Sequence, residues 1–251
     1  MFDGGVMRRR RDLRALFALL LLSLSTGCAA SSDYMRPTLM PLDAPPPPGS
    51  ATVVFVRPSS YGTTVLMGLL NPAPRITVLD EQGRFIGDAT ADSCFVAPVP
   101  AGKHLFVGWA ENTAALQADL APGRVYFVEV SPRIGWLTAR VQLLAITPQN
   151  KRWKDLEEWV SDCDKFRPDE AGGQAYLNGR RDDATERIRR AKAALADYDT
   201  EELRERTLLP ADGVEPTPYA PPGTLAPRPA ADTPSERVAP ALPPPPPAPP
   251  Q

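Results

Sequence analysis

The chain has 251 residues, with 28 lysine and arginine side chains, 30 aspartate and glutamate side chains and one histidine. Its formal net charge is -2. Nucleic-acid binding depends on clustered lysine and arginine, so this balance of charge gives no reason to expect a nucleic-acid partner.

Residues 1–27 predict a signal peptide of the lipoprotein type. A run of arginines at 8–11, followed by Arg14, precedes an apolar stretch of about ten residues, which is too short to span a membrane. The small residues that end this stretch are followed at once by Cys28. The pattern resembles the leaders of bacterial lipoproteins, and Cys28 matches the residue to which the lipid is attached. The alternative is an ordinary signal peptide followed by a chance cysteine; starting translation at Met1 or Met7 gives the same mature product.

The two remaining cysteines predict a disulfide. Export would deliver Cys94 and Cys163 to an oxidising compartment, where a pair of cysteines favours a bond. The alternative is two buried free thiols. Two cysteines and His104 lack the number and spacing of a zinc site, so we expect no metal and no cofactor.

Residues 28–50 predict a proline-rich tether that lifts the folded part clear of the bilayer. Residues 51–147 predict a mainly β domain. Strands are expected at residues 52–57, 76–78, 85–87, 94–96, 103–109, 125–130 and 136–143. Turn signals recur about every ten residues and no helix separates the strands, so we expect an antiparallel β-sandwich, Ig-like or transthyretin-like.

Residues 148–209 predict a helical segment with two apolar stripes. The first stripe contains Trp153, Leu156, Val160 and Cys163, at helical spacing. The second contains Ala184, Ile188, Ala191, Leu195 and Tyr198, in a helix that Asp182 or Asp183 would cap. We expect the second stripe to pack on the sandwich, and the alternative is a helix offered to a partner chain.

Residues 210–251 predict a disordered tail. They contain 16 of the 31 prolines and few bulky apolar side chains. Such a composition cannot offset the entropy of ordering, so no packed structure is expected after residue 209.

Residues 76–104 resemble small envelope β-domains of the PEGA type and related uncharacterised lipoprotein domains. The resemblance lies in Ile76-x-Val78-x-Asp80, then Gly83-x-Phe85-Ile86-Gly87, and then the turn at 100–104 with the sequence PAGKH. The four letters that give the PEGA type its name are absent. The resemblance implies a non-catalytic envelope domain and carries over no catalytic residue.

The chemistry-bearing residues also predict a protein that is not an enzyme. The single histidine, His104, enters a strand after a turn, and the carboxylate pairs 80–81 and 157–158 are interpreted as solvated surface. Trp136 and Arg140 face outward together, which makes them the candidate contacts for an envelope glycan or peptide.

Two functions follow from these observations. The first is a structural or protein-interaction lipoprotein held by its acyl anchor, with an envelope protein or peptidoglycan as partner. The second is a ligand-binding module. Ala29 is not the aspartate that retains some lipoproteins at the inner membrane, so we expect a bacterial cell-envelope location at the outer membrane.

Overall fold

The computed structural model describes residues 32–58, 75–134 and 139–217, and within them the chain is mainly β with helices towards the C-terminal side. The strands are β1 (Met35–Pro37), β2 (Ser50–Arg57), β3 (Ile76–Asp80), β4 (Phe85–Ala89), β5 (Ser93–Pro100), β6 (Gly102–Trp109), β7 (Thr113–Leu120), β8 (Val125–Ile134), β9 (Ala139–Ile146), β10 (Asp164–Pro168) and β11 (Thr207–Leu208). The helices are α1 (Trp153–Asp162), α2 (Glu170–Asn178), α3 (Arg181–Asp197) and α4 (Thr200–Glu205). The mainly β class and the helices that follow it are confirmed.

The strands form two mixed sheets. The first sheet has the order β1-β10-β5-β2-β8-β9, and the second has the order β11-β7-β6-β3-β4. Three pairs are parallel, namely β2 with β8, β10 with β5 and β11 with β7. The expectation of a purely antiparallel arrangement is therefore wrong. Parallel neighbours need a long crossover, and between β2 and β8 the chain builds most of the second sheet before it returns.

Side chains from both sheets meet in one main core. Phe55 of β2 lies edge-on to Phe106 of β6, with ring centroids 5.4 Å apart. Val53 and Phe55 belong to this core, whereas the alternate residues Val54 and Val56 face a second cluster. Strand β2 is buried on both faces because α1 covers the outer face of the first sheet.

Helix α3 packs on the second sheet through the predicted stripe. Ala184 and Ala191 are buried, and Ile188 and Leu195 pack against the same core. The prediction that this stripe packs on the sheets is confirmed for these four residues, whereas Tyr198 follows the end of the helix and its ring contacts Arg206. The capping prediction is wrong, because the helix begins at Arg181 and leaves Asp182 and Asp183 inside its first turn. Acidic side chains remain favourable there because they face the positive end of the helix dipole.

The predicted tether is folded from residue 32 onward. Met35 pairs with Pro168 in the first sheet, and Leu42 is buried in the second cluster. Residues 32–50 therefore belong to the folded domain and do not form a separate spacer. A few apolar side chains suffice here, because the sheet and α1 already offer an apolar surface to cover.

Ordered structure also continues beyond residue 209. Residues Pro210–Asp212 form a 3₁₀ turn, and Val214 exchanges two backbone hydrogen bonds with Val125. The backbone N–H of Thr217 donates to the carbonyl of Asp43. The predicted tail boundary is therefore too early, and residues 218–251 lie outside the described part of the chain.

The strand registers define two ends of the paired sheets. Ile76 pairs with Ala89, Thr77 with Trp109 and Arg57 with Ser93. We call this the Ala89 end. The Pro100 end lies opposite and holds the short connection between β5 and β6.

Candidate functional site

The Cys94–Cys163 disulfide joins the first sheet to the segment that ends α1. Cys94 lies in β5, Cys163 directly follows α1, and their Cα atoms are 5.7 Å apart. Both cysteines are buried in the second cluster beside Leu156 and Trp159. The predicted pairing is confirmed, and it fastens α1 over the outer face of the sheet.

The predicted ligand contacts are only partly within the described chain. Arg140 is exposed on β9, as the alternation of that strand predicts. Trp136 lies outside the described residues, and so does Cys28. The structure therefore gives no geometry for the Trp136–Arg140 pair or for the lipid-attachment site.

His104 is held by its own turn. Its Nε2 lies 2.8 Å from the carbonyl oxygen of Pro100, and its Nδ1 lies 3.9 Å from Oε1 of Glu81. Its side chain is only 8% exposed. The other carboxylate oxygen of Glu81 accepts a hydrogen bond from the backbone of Leu105. Both side chains thus stabilise the start of β6, where the chain passes from the first sheet to the second.

Asp80 closes the turn between β3 and β4. One carboxylate oxygen accepts the backbone N–H groups of Gln82 and Arg84, each at 2.9 Å, and the other accepts Nε of Arg84 at 2.6 Å. The side chain of Asp80 is only 1% exposed, so it is a buried part of this turn and its interpretation as solvated surface is wrong. In the described ranges, no group of three histidine, cysteine or acidic side chains is arranged to hold a metal ion.

A cluster of tyrosines and arginines lies on the surface beside β4 and α2, with Arg75 at the Ala89 end, and sequence reasoning missed it. The rings of Tyr34 and Tyr176 have centroids 5.1 Å apart. The guanidinium carbon of Arg75 lies 5.7 Å and 5.2 Å from these two centroids, and that of Arg180 lies 4.6 Å from Tyr176. We call these four residues the Tyr–Arg cluster. Cation–π contacts hold both guanidinium groups in place while leaving their N–H edges available.

Two buried charged groups lie beneath the cluster. The carboxylate of Asp88 accepts hydrogen bonds from the hydroxyls of Ser32 and Thr77 and lies 3.6 Å from Nε of Arg75. Burial raises the pKa of Asp88, while these three partners act in the opposite direction. Burial likewise lowers the pKa of Arg57 to about 10, although Asp92 opposes the effect. Arg57 donates to the carbonyl of Ala89 at 2.7 Å, which ties β2 to the end of β4.

A groove of about 450 Å³ lies between β4, β5 and α2. Most of its lining is apolar, and the rim carries Arg84, Glu170 and Gln174. The apolar lining residues are Phe85, Ile86, Ala97, Pro98, Val99, Pro100, Pro168 and Ala171. Its lining is more apolar than that of two other concave surfaces, which lie beside Thr147 and Gln149.

No protein-family model, no curated protein and no solved structure matches this chain. Among the residues that the structure describes, none of the helices has the length and apolar character needed to cross a membrane. The site geometry therefore supplies the arguments on function.

Proposed function

We propose that the chain is a non-catalytic, lipid-anchored protein of the bacterial cell envelope, located at the outer membrane, with a structural or protein-interaction role. The observation that carries this proposal is the disulfide between Cys94 and Cys163. It uses the two cysteines that remain when Cys28 is reserved for the lipid. Disulfides persist in exported proteins and are rare in the cytosol.

The non-catalytic part of the proposal is supported by the roles of the polar side chains. His104 and Glu81 stabilise the start of β6, and Asp80 closes the turn between β3 and β4. A general acid or base must reach a substrate proton, and each of these groups is engaged with a backbone group of the protein. The PEGA-type resemblance and the Ig-like or transthyretin-like topology stay predictions.

The proposal is tested on the protein produced in a bacterium. Mass spectrometry of the N-terminal peptide should find a chain that begins at Cys28 and carries acyl chains. The Cys28→Ala variant should accumulate with its leader attached. The matched control, Cys163→Ala, should be processed and acylated normally although it lacks the disulfide. A processed N-terminus without fatty acid would contradict the proposal.

A second candidate function, a ligand-binding module for an envelope peptide or glycan, is favoured by the apolar groove. Crosslinking in cells, with partners identified by mass spectrometry, separates the two candidates. Deleting residues 218–251 removes most of the predicted tail but keeps the residues that pair with Val125. Ala171→Trp fills the groove, while Ala175→Trp places the same bulk on an exposed position of the same helix. Partners that still bind after the deletion and are lost only with Ala171→Trp would favour the ligand-binding module. Arg140→Ala tests the ligand contact that the sequence predicts on β9.

A further inference from the structure

We propose that the Ala89 end docks on the phospholipid headgroups of the bilayer that holds the acyl chains. This inference rests on the proposed function, because it requires Cys28 to be acylated. The surface involved, which we call the docking surface, runs from Leu39, Met40 and Arg75 at the Ala89 end to Tyr34, Tyr176 and Arg180 beside β4 and α2.

The first argument is the length of chain between the anchor and the fold. Only four residues lead from Cys28 to Ser32, so at most about 14 Å of extended chain separates them. The hydroxyl of Ser32 donates a hydrogen bond to Asp88, one residue before the last residue of β4. An acylated Cys28 therefore holds the Ala89 end close to the bilayer.

The second argument is an exposed apolar pair at the same end. The backbone N–H of Thr38 donates to the carbonyl of Lys165, a residue that pairs with Cys94 near the start of β5. Leu39 and Met40 follow at once and are 95% and 49% exposed. Buried Leu42 fixes the far side of this loop, so the apolar pair is held outward between two anchored points. Apolar side chains in this position gain free energy by entering the acyl boundary of a bilayer.

The third argument is the chemistry of the Tyr–Arg cluster. Tyrosine rings and long cationic side chains favour the level of the lipid headgroups. A guanidinium group matches the geometry of a phosphate and donates two parallel hydrogen bonds to it. Arg180 is exposed, and no salt bridge within the described part of the chain involves it.

The amino-acid composition of two connections, residues 59–74 and 135–138, agrees with an Ala89 end that faces the bilayer. Residues 59–74 and 135–138 lie outside the described part, but the residues that flank them lie at the Ala89 end. Their sequences are rich in large apolar residues, including Leu66, Met67 and Trp136. The docking surface itself includes none of them.

The test uses the intact lipidated protein in vesicles of phosphatidylethanolamine and phosphatidylglycerol. A photo-reactive benzoylphenylalanine replaces Leu39, Tyr176 or Lys103, one at a time. Lys103 is the control, because it is exposed and lies at the Pro100 end. We expect lipid adducts at positions 39 and 176 and only background at 103. Equal adducts at all three positions, or crosslinks to a second copy of the chain in place of lipid, would overturn the inference.

A second variant tests the role of the guanidinium group. Arg180→Gln should lower the adduct yield at position 39 by about fivefold. This factor corresponds to the binding free energy of about 1 kcal/mol that one arginine contributes at an anionic lipid surface. Arg204→Gln removes an exposed arginine of α4 and should leave the yield unchanged. The mass of the N-terminal peptide from each sample is measured by mass spectrometry as well, to show whether Cys28 is acylated. An acylated peptide without adducts refutes docking alone, whereas an unacylated peptide refutes the proposed function and the docking inference with it.

Discussion

Removing the Cys94–Cys163 disulfide tests how much of the stability depends on fastening α1 to the first sheet. The bond joins cysteines 69 positions apart in the sequence. On the chain-entropy relation, a loop of this length stabilises the fold by about 4 kcal/mol, because the cross-link restricts the unfolded chain. Since domains are typically stable by only about 5–15 kcal/mol, we expect the Cys94→Ala/Cys163→Ala variant to lose a large share of its free energy of unfolding.

The assay is urea unfolding of the purified protein, followed by circular dichroism with and without a reductant. With a slope of about 2 kcal/mol per molar urea, the loss lowers the unfolding midpoint by about 2 M. Reduced wild-type protein is the matched control, because it has the same open chain as the variant but keeps both sulfur atoms. The difference between these two forms measures side-chain packing at Cys94 and Cys163 alone.

A change of less than about 0.5 M between oxidised and reduced wild-type protein would refute the reasoning. It would mean that the unfolded chain is already so compact that closing this loop restricts it little. Hydrogen exchange in α1 provides an independent check. Opening the bond should accelerate exchange in α1 more than in β2, because α1 packs on the sheet through few buried side chains, Leu156 and Trp159 among them.

Three further predictions concern single elements. Gly173→Ala should destabilise the fold by about 1–3 kcal/mol in thermal or urea unfolding, because its Cβ would lie 2.1 Å from the ring of Phe85; Gly179→Ala, where the nearest atom is 3.5 Å away, should change the stability by less than about 1 kcal/mol. Asp88 has a raised pKa in the folded protein, so its contribution is greatest below its unfolded pKa of about 4 and falls as the pH rises through the folded value. Asp88→Asn should remove this part of the pH dependence, which lies above about pH 4, and an unchanged profile of stability against pH would contradict the raised pKa. Deleting residues 218–251 should leave the melting temperature unchanged, whereas deleting 210–251 should lower it, because the second deletion removes the two hydrogen bonds between Val214 and Val125.

Strands with a strong local pattern could be predicted from the sequence. The β-branched run at 52–57 and the alternation of Val141 and Leu143 with polar neighbours both mark observed strands. The disulfide could also be predicted, because only two cysteines remain for an oxidising compartment. In each case the signal is carried by composition or by a short spacing.

Two elements were missed because their local preferences disagree with the fold. Strand β7 has the sequence TAALQADL, which is rich in helix formers, and it is a strand because all eight residues pair with β6. Helix α2 contains two adjacent glycines, which weaken a helical signal. The structure explains Gly173, since the ring of Phe85 occupies the space that a side chain would need. Tertiary contacts decide both cases.

The tether, the parallel strand pairs and the Tyr–Arg cluster could not be predicted for a related reason. Met35 and Leu42 are isolated apolar residues among prolines, and their burial depends on surfaces that distant segments build. The four residues of the Tyr–Arg cluster come from the segment before β1, the start of β3, the end of α2 and the connection to α3. No spacing in the sequence relates them.

The edges of the two sheets limit how a partner can bind. Asn112 pairs its side-chain amide with both backbone groups of Val141 on the outer edge of β9. Gln174 does the same for the other sheet by accepting the N–H of Phe85 and donating to the carbonyl of Gly83, beside the edge of β4. An added strand needs free backbone groups along such an edge, so these amides disfavour strand addition at β9 and β4. Docking of the Ala89 end on the bilayer would leave the Pro100 end facing the aqueous side, where an envelope partner can reach it.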